Sequence, residues 1–476
     1  MRRRISALAA CAALAGCAVG PNYQQPATPV DVHFANAGEP GFSETDPVEQ
    51  YWLGFADPML NRLIEDALAH NKDLDVAKAN LQAARAAARL TGFDQYPTVT
   101  LQGSYTHVLD SLGQLPGVDR HDREFNVATA GFDGLWELDL FGRVRRNVEA
   151  SRADVGASAA TLADARVSVI AEAARDYFIL RGLQDQLALT LSNADNQLST
   201  LKLTRTRLVA GRGNELDTSR AEAQWQTTLA SIPSLQAAIA TTSYRLSVLT
   251  GRQPTALVET LSPQAPSPPL PPLNAIGSPE QLLRRRPDVR IAERRLAAAT
   301  ARVGVAVGDL FPKVTLLGQV GYFAPTFGAF GTGDARFFTF GPSISWAAFD
   351  LGRVRARIGS AKAETDASLA VYEGAVLGAL EDTEGALINY GRTQTRCESL
   401  QVAAAASVKA STLARKRFEG GLVDFLEVLD AERTALSAEL LLSQCRTDAA
   451  TSLIAVYKAL GAGWRLPAPS VAATAH

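Results

Sequence analysis

Apolar residues recur at helical spacing through Trp52, Leu53, Phe55, Leu60, Leu63, Ile64 and Leu68, with Asp57-Pro58 inside the run. They recur again at Leu74, Ala77, Leu81 and Ala84, which predicts two amphipathic helices ending near Arg89. The period then falls to two. Val99, Leu101, Gly103 and Tyr105 alternate with Thr98, Thr100, Gln102, Ser104 and Thr106, predicting a strand with one apolar and one small polar face. A polar loop rich in Gly, Pro and Asp covers 110–123, and a second strand runs from about Glu124 to Leu140. Helical periodicity resumes at Gly142-Arg143, turns at Gly211, and returns from Asn214 to about Leu249 with an interruption expected at Pro233.

The pattern is then repeated. A proline-rich linker, 263–277, separates a first repeat (51–262) from a second (278–460). Asp288, Val289, Ala292, Leu296 and Pro312 each lie 215 positions after Asp73, Leu74, Ala77, Leu81 and Pro97. Val314, Leu316, Gly318, Val320 and Tyr322 share one face of a strand; Phe338, Phe340, Ile344 and Trp346 share a face of the next. From there the offset is 210. Trp346, Gly352 and Arg353 answer Trp136, Gly142 and Arg143, so the second strand pair is shorter by five residues. Each repeat therefore reads as helix, β-hairpin (about 97–140 and about 312–350) and long helical hairpin (142–250 and 353–460).

The helical hairpins turn at matching motifs. Arg207, Gly211, Asn214, Asp217, Ala221 and Glu222 recur 210 positions later as Arg417, Gly421, Asp424, Glu427, Ala431 and Glu432. Glycine suits the turn because it supplies positive φ without steric cost. Asn214 and Asp424 stand at N-cap positions, each followed three residues later by an acid at capping-box spacing.

These lengths restrict the architecture. Residues 353–420 as one helix would reach about 100 Å at 1.5 Å per residue, too long for a compact globule. The strands are of membrane-barrel length, yet one chain offers four and the smallest membrane barrels need about eight. An open four-stranded sheet in lipid leaves edge hydrogen bonds unmade, at a cost of several kcal/mol each. The pattern predicts a barrel shared between subunits.

Charge and cysteines refine the picture. A formal net charge of −2 gives no global basic field for nucleic acid. Met1-Arg2-Arg3-Arg4 and the apolar run Ile5–Gly16 read as a signal peptide, residues 1–16, too short to span a bilayer. It ends in Leu14-Ala15-Gly16-Cys17, which resembles a bacterial lipobox and implies cleavage before Cys17 and acylation of that residue; the alternative is a signal in which Cys17 is incidental. Ala18 after it implies sorting to the outer membrane. An extended arm punctuated by proline follows, 17–50, and a tail, 461–476, ends the chain. Cys397 and Cys445 lie equally far on either side of Gly421, at one height on an antiparallel hairpin. A disulfide in an oxidising compartment and a pair of buried thiols both fit.

Taken together, the lipobox, the Trp52…Asp57-Pro58 opening, Gly-Arg after each β-hairpin, the Arg417–Glu432 turn and the ending Leu460-Gly461-Ala462-Gly463-Trp464 resemble the TolC-like outer-membrane efflux factors, in the OprM/NodT-type lipoprotein branch. The resemblance covers essentially the whole mature chain. It implies a mixed α and β membrane protein: a homotrimer sharing a 12-stranded outer-membrane barrel, four strands per chain, continued by a long periplasmic α-helical barrel. It also implies a passive exit duct among outer-membrane lipids, served by a periplasmic adaptor and an inner-membrane pump of RND type. No cofactor is expected beyond the lipid on Cys17.

In that family, acids and an apolar ring at the start of the last long helix narrow the tip; the matching residues are Leu426, Glu427 and Asp430. Glu427 could instead complete a capping box with Asp424, and Leu426 could be hairpin core. Asp430 lies beyond the first turn, and its repeat counterpart is Arg220. The turns themselves (Gly211, Asn214, Gly421, Asp424) are the expected adaptor contacts. Arg143/Arg145/Arg146 and Arg353/Arg355/Arg357 either meet lipid phosphates or pair with acids, and Arg284-Arg285-Arg286-Pro287 reads as a surface patch at a helix start.

Five scattered histidines without ligand spacing, and no phosphate loop, nucleophile elbow or dinucleotide fingerprint, argue against an enzyme. A duct for type I protein secretion and a pore-free structural lipoprotein are the alternatives; the alternating strands speak against the second.

Overall fold

The computed structural model describes residues 18–37, 45, 48–273 and 275–464; the signal, Cys17 and the tail beyond Trp464 lie outside these residues. The chain forms two compact units, each drawing on both repeats. One holds the segment up to Ala27, Asn80–Ala159 and Ile291–Gly374; the other holds Thr28–Ala79, Ala160–Arg290 and the chain from Ala375. The labelled elements are α1 (Pro58–His70), α2 (Lys72–Phe93), β1 (Thr98–Leu109), β2 (Glu124–Leu138), α3 (Arg143–Val209) and α4 (Glu215–Leu249) in the first repeat. In the second they are α5 (Pro279–Arg285), α6 (Pro287–Gly308), β3 (Lys313–Ala324), β4 (Arg336–Ser345), α7 (Leu351–Glu419) and α8 (Phe425–Ala459).

The first unit is organised by one antiparallel sheet in the order β1-β2-β3-β4. Its register places Leu101 opposite Phe132, Phe132 opposite Val320, and Val320 opposite Phe338. Because side chains alternate across a strand, this row lies on one face. Leu101, Phe132, Val320 and Phe338 are all exposed, Phe338 at 83%. The other face carries polar pairs among its side chains: Thr100 donates to Asp133 (2.6 Å), and Ser104 bonds Thr129 (2.6 Å). Each β-hairpin is tied by an indole to the turn that follows the preceding helix, Trp136 Nε1 to Gln95 O and Trp346 Nε1 to Leu310 O, both 3.0 Å.

In the same unit the N-terminal arm is held at the start of α3. Val19 N donates to Phe141 O (3.0 Å), and buried Arg146 donates to Val19 O (3.2 Å) and Asn22 Oδ1 (2.6 Å). Gly142 has φ +82, and a Cβ there would collide with Ala18, so glycine admits the arm. Arg143 pairs with Glu137 (2.9 Å) and Arg145 with Asp139 (3.1 Å); Arg353 pairs with Asp350 (2.9 Å) and Arg357 with Asp309 (3.4 Å). These arginines thus have acidic partners within the chain, as the second of the two readings holds.

The second unit carries the main apolar core. Asp57 caps α1 by accepting from Met59 N and Leu60 N, and Pro58 occupies the first helical position, where its missing N–H is no loss. The other carboxylate oxygen accepts from buried Tyr177 OH (2.7 Å). Around this cap pack Trp52, Phe55 against Phe178, and Tyr51 stacked on Tyr457 at 4.5 Å. The interruption expected at Pro233 does not occur. α4 runs unbroken through it, and hydroxyls of Ser231 and Ser234 donate to the carbonyls of Thr228 and Ser231, both at 2.7 Å, supplying polar partners beside the proline.

Arg286 also departs from expectation. It is a buried hub and not a surface patch, because the break between α5 and α6 turns it inward. Its guanidinium donates to Ala379 O (3.3 Å), Ala459 O (3.2 Å), Asp288 (2.6 Å) and Asp382 (2.9 Å). Burial alone would raise the Asp288 carboxyl, but Arg286 outweighs it and holds the group below the ordinary carboxylate range. Asp164, facing the same 510 Å³ cavity, is pushed up by burial and by the charge of Asp288.

Candidate functional site: the helical hairpin tips

Both tips lie in the second unit and share one backbone solution. At the first, Gly211 N donates to Leu208 O (3.0 Å) and Arg212 N to Arg207 O (2.9 Å). At the second, Gly421 N donates to Phe418 O and Leu422 N to Arg417 O, both at 2.9 Å. These are the paired bonds of a Schellman motif, and Gly211 and Gly421 adopt φ +70 and +73, the left-handed conformation it requires.

The return helices begin differently. Asn214 accepts from Asp217 N (2.7 Å), and its amide donates to the Asp217 carboxylate (2.9 Å). Asp424 occupies the equivalent place without any side-chain capping bond, so the capping box expected with Glu427 is not formed. Only its backbone carbonyl is used, by Glu427 N at 3.2 Å. The second tip is held by packing instead. Phe425 and Val428 are buried with Phe418 and Leu201, and the Phe418 and Phe425 rings lie 5.7 Å apart.

That choice decides where the candidate gate residues point. Phe425, Val428 and Glu432 follow one buried stripe of α8, which turns Leu426, Glu427 and Asp430 outward. Leu426 is 55% exposed, which sets aside the alternative of hairpin core; its neighbour Phe425 fills that role. Among the described residues the side chains of Glu427 and Asp430 have no hydrogen-bond or ion-pair partner, and both are exposed. Glu432, by contrast, is buried and satisfied by Arg415 (2.6 Å) and Thr200 (3.2 Å). Its repeat counterpart Glu222 pairs with Arg205 at 3.1 Å.

Farther along the second hairpin, Cys397 on α7 and Cys445 on α8 are joined by a disulfide, Cα atoms 5.6 Å apart. One functional contact escaped the sequence reading: Arg207 reaches across to the end of α7. The motif Arg-x-x-x-Gly is visible in both repeats, but which copy finds a partner is not.

Among the described residues no group of His, Cys, Asp and Glu could hold a metal ion. Nor is any helix among them long and apolar enough to cross a membrane. An exposed apolar sheet, paired helical hairpins and outward acids at one tip define an outer-membrane channel. The chain belongs to the outer membrane efflux protein family, whose model matches residues 63–252 and 278–462, one segment in each repeat. It is 31% identical to the toluene efflux pump outer membrane protein TtgI of Pseudomonas putida, over 95% of this chain and 96% of that protein. Its fold matches the outer-membrane channel OprN, with TM-score 0.88 and 43% identity over 94% of this chain and all of the other. It also matches the open state of the MtrE outer membrane channel of Neisseria gonorrhoeae, with TM-score 0.84 and 29% identity over 94% and 98%.

Proposed function

We propose that this protein is the exit duct of a tripartite efflux system, a homotrimer whose three sheets close a 12-stranded barrel in the outer membrane (three copies of the four strands). The observation that carries this reading is the sheet, with one exposed apolar face and unpaired outer edges on β1 and β4. In hydrocarbon an unpaired edge costs several kcal/mol per group, so such a sheet enters a bilayer only when other sheets complete it. Drugs or other small molecules pass passively through the duct. Energy is coupled elsewhere, in an RND-type inner-membrane pump reached through a periplasmic adaptor, and the chain itself is not an enzyme. Cys17 carries the lipid anchor, and the protein needs no other cofactor.

The gate in this reading is the outward face of α8. Leu426, Glu427 and Asp430 line the constriction, and the turns at Gly211, Asn214, Gly421 and Asp424 receive the adaptor. Three Asp430 carboxylates near one axis repel one another, so closure depends on contacts between neighbouring hairpins. The test is single-channel conductance of the purified protein in a planar bilayer, wild type beside Asp430→Ala. Small or flickering currents that grow several-fold in the variant are expected. No pore from either protein, with both folded and trimeric, would sink the reading.

A further inference from the structure

The two hairpin tips meet within the chain at one seam. Arg207, in the last turn of α3, donates from Nη2 to Phe418 O (2.6 Å) and Glu419 O (3.2 Å). Its guanidinium lies 4.0 Å from the centroid of the Phe418 ring. The acceptors are the last carbonyls of α7, where a cation is favoured by unpaired C=O groups and by the helix dipole. Thr200 strengthens the same seam by donating to Glu432 (3.2 Å).

Arg417 holds the place of Arg207 in the second repeat, 210 positions on, and its own helix end offers the same reach. Yet Arg417 is exposed, and among the described residues its side chain has no hydrogen-bond or ion-pair partner. In a closed ring built from copies of a two-hairpin chain, each hairpin has two neighbours, one in its own chain and one in the next copy. The contact that Arg207 makes inside the chain must recur, by the repeat, between chains. The repeat also gives the address: Leu208 O and Val209 O stand where Phe418 O and Glu419 O stand, and Val209 is 90% exposed.

We propose that Arg417 donates to the Leu208 and Val209 carbonyls of a second copy of this chain, and that this between-chain seam is the weaker one and parts when the tip opens. The inference rests on the trimeric reading above. The ranking follows from what the repeat does not preserve. Leu208 replaces Phe418, removing the aromatic face under the guanidinium, and Glu215 replaces Phe425 behind it. Ala410 replaces Thr200, so Glu222 receives no hydroxyl across the seam. Only the arginine and the carbonyls are common to both. A ring with alternate strong and weak seams opens at the weak ones.

The test uses the purified, detergent-extracted full chain with its native disulfide intact. Val209→Cys combined with Arg417→Cys, after mild oxidation, should give covalent dimers and trimers on a non-reducing denaturing gel. Arg207→Cys combined with Glu419→Cys should cross-link within the chain and migrate as monomer. A Val209/Arg417 variant that is trimeric by ultracentrifugation yet stays monomeric on the gel would overturn the contact while leaving the trimer standing. A monomeric wild type would overturn the assembly itself, and the inference with it. For the ranking, Arg417→Ala should enlarge single-channel conductance several-fold and Arg207→Ala less; an equal or larger effect from Arg207→Ala would refute it.

Discussion

At Gly211 and at Gly421 the chain makes the same turn with the same pair of backbone bonds, but side chains secure the two return helices in different ways. The first tip relies on a local cap, Asn214 to Asp217; the second relies on two buried phenylalanines and leaves the carboxylates of Asp424, Glu427 and Asp430 without internal work. The same divergence occurs at the base of the hairpins. Asn71 caps α2 and donates to Leu249 O (3.0 Å), the last residue of α4. Arg286, 215 positions on, donates to Ala459 O, the last residue of α8, and gathers two acids besides. A third instance lies between. Cys397 and Cys445 are bonded where the first repeat has Leu187 and Leu235. A duplicated backbone thus keeps its turns and helix ends while the groups that lock it change.

The largest effect separating the repeats should come from Arg286. Its replacement by alanine removes the charged partner of Asp288 and Asp382 and leaves Thr383 as the remaining side-chain donor to Ala379 O and Ala459 O, which should cost about 3 kcal/mol, against about 1 kcal/mol for Asn71→Ala. Chemical denaturation followed by circular dichroism would measure both. The difference should also depend on pH. The Asp288 carboxyl is held below its ordinary range, so the stability it contributes is present above the unfolded carboxylate pKa and fades as pH falls through the lowered one. Equal costs for the two variants would break the comparison at the base.

Next in size is the disulfide, which closes a loop across 48 positions. Cys397→Ser should cost about 2–4 kcal/mol, with hydrogen exchange accelerating along α7 and α8 but not along α3 and α4. Uniform acceleration in all four helices would mean that the hairpins do not open separately. The smallest effect sharpens the contrast at the tips. Asn214→Ala should cost about 1 kcal/mol and fray the start of α4, whereas Asp424→Ala should change stability by less than about 0.5 kcal/mol. A substantial loss from Asp424→Ala would show that its carboxylate does cap α8.

Much of this was legible in the sequence because it was written locally. The alternation in 98–106 placed Val99, Leu101 and Tyr105 on one face, and the register of the sheet keeps them there. The glycines marked both turns, and Asp57-Pro58 marked the start of α1. Where the reading failed, a non-local partner had decided the outcome. Pro233 looked like a break, yet α4 runs through it with the hydroxyls of Ser231 and Ser234 bonded beside it. Arg286 looked like surface, because nothing near it in sequence announces Ala379, Asp382 and Ala459. At the second tip the sequence left Leu426 open between gate and core, and only the facing wall of α3 and α7 selects its neighbour Phe425 for burial.

The sequence by itself determined the duplication, the four strands and their two faces, the four long helices, and the need for other copies to close the sheet. Periodicity, glycine spacing and an unpaired edge are properties of a chain, readable wherever it goes. Only the tertiary structure decided that Asp424 does not cap, and that among the described residues Glu432 is buried and paired while Asp430 is not, and Arg207 is clamped while Arg417 is not. Those outcomes depend on which groups from distant segments arrive within hydrogen-bonding distance. Two copies of one motif arrive in different surroundings, because one meets its neighbour inside the chain and the other faces outward at its end.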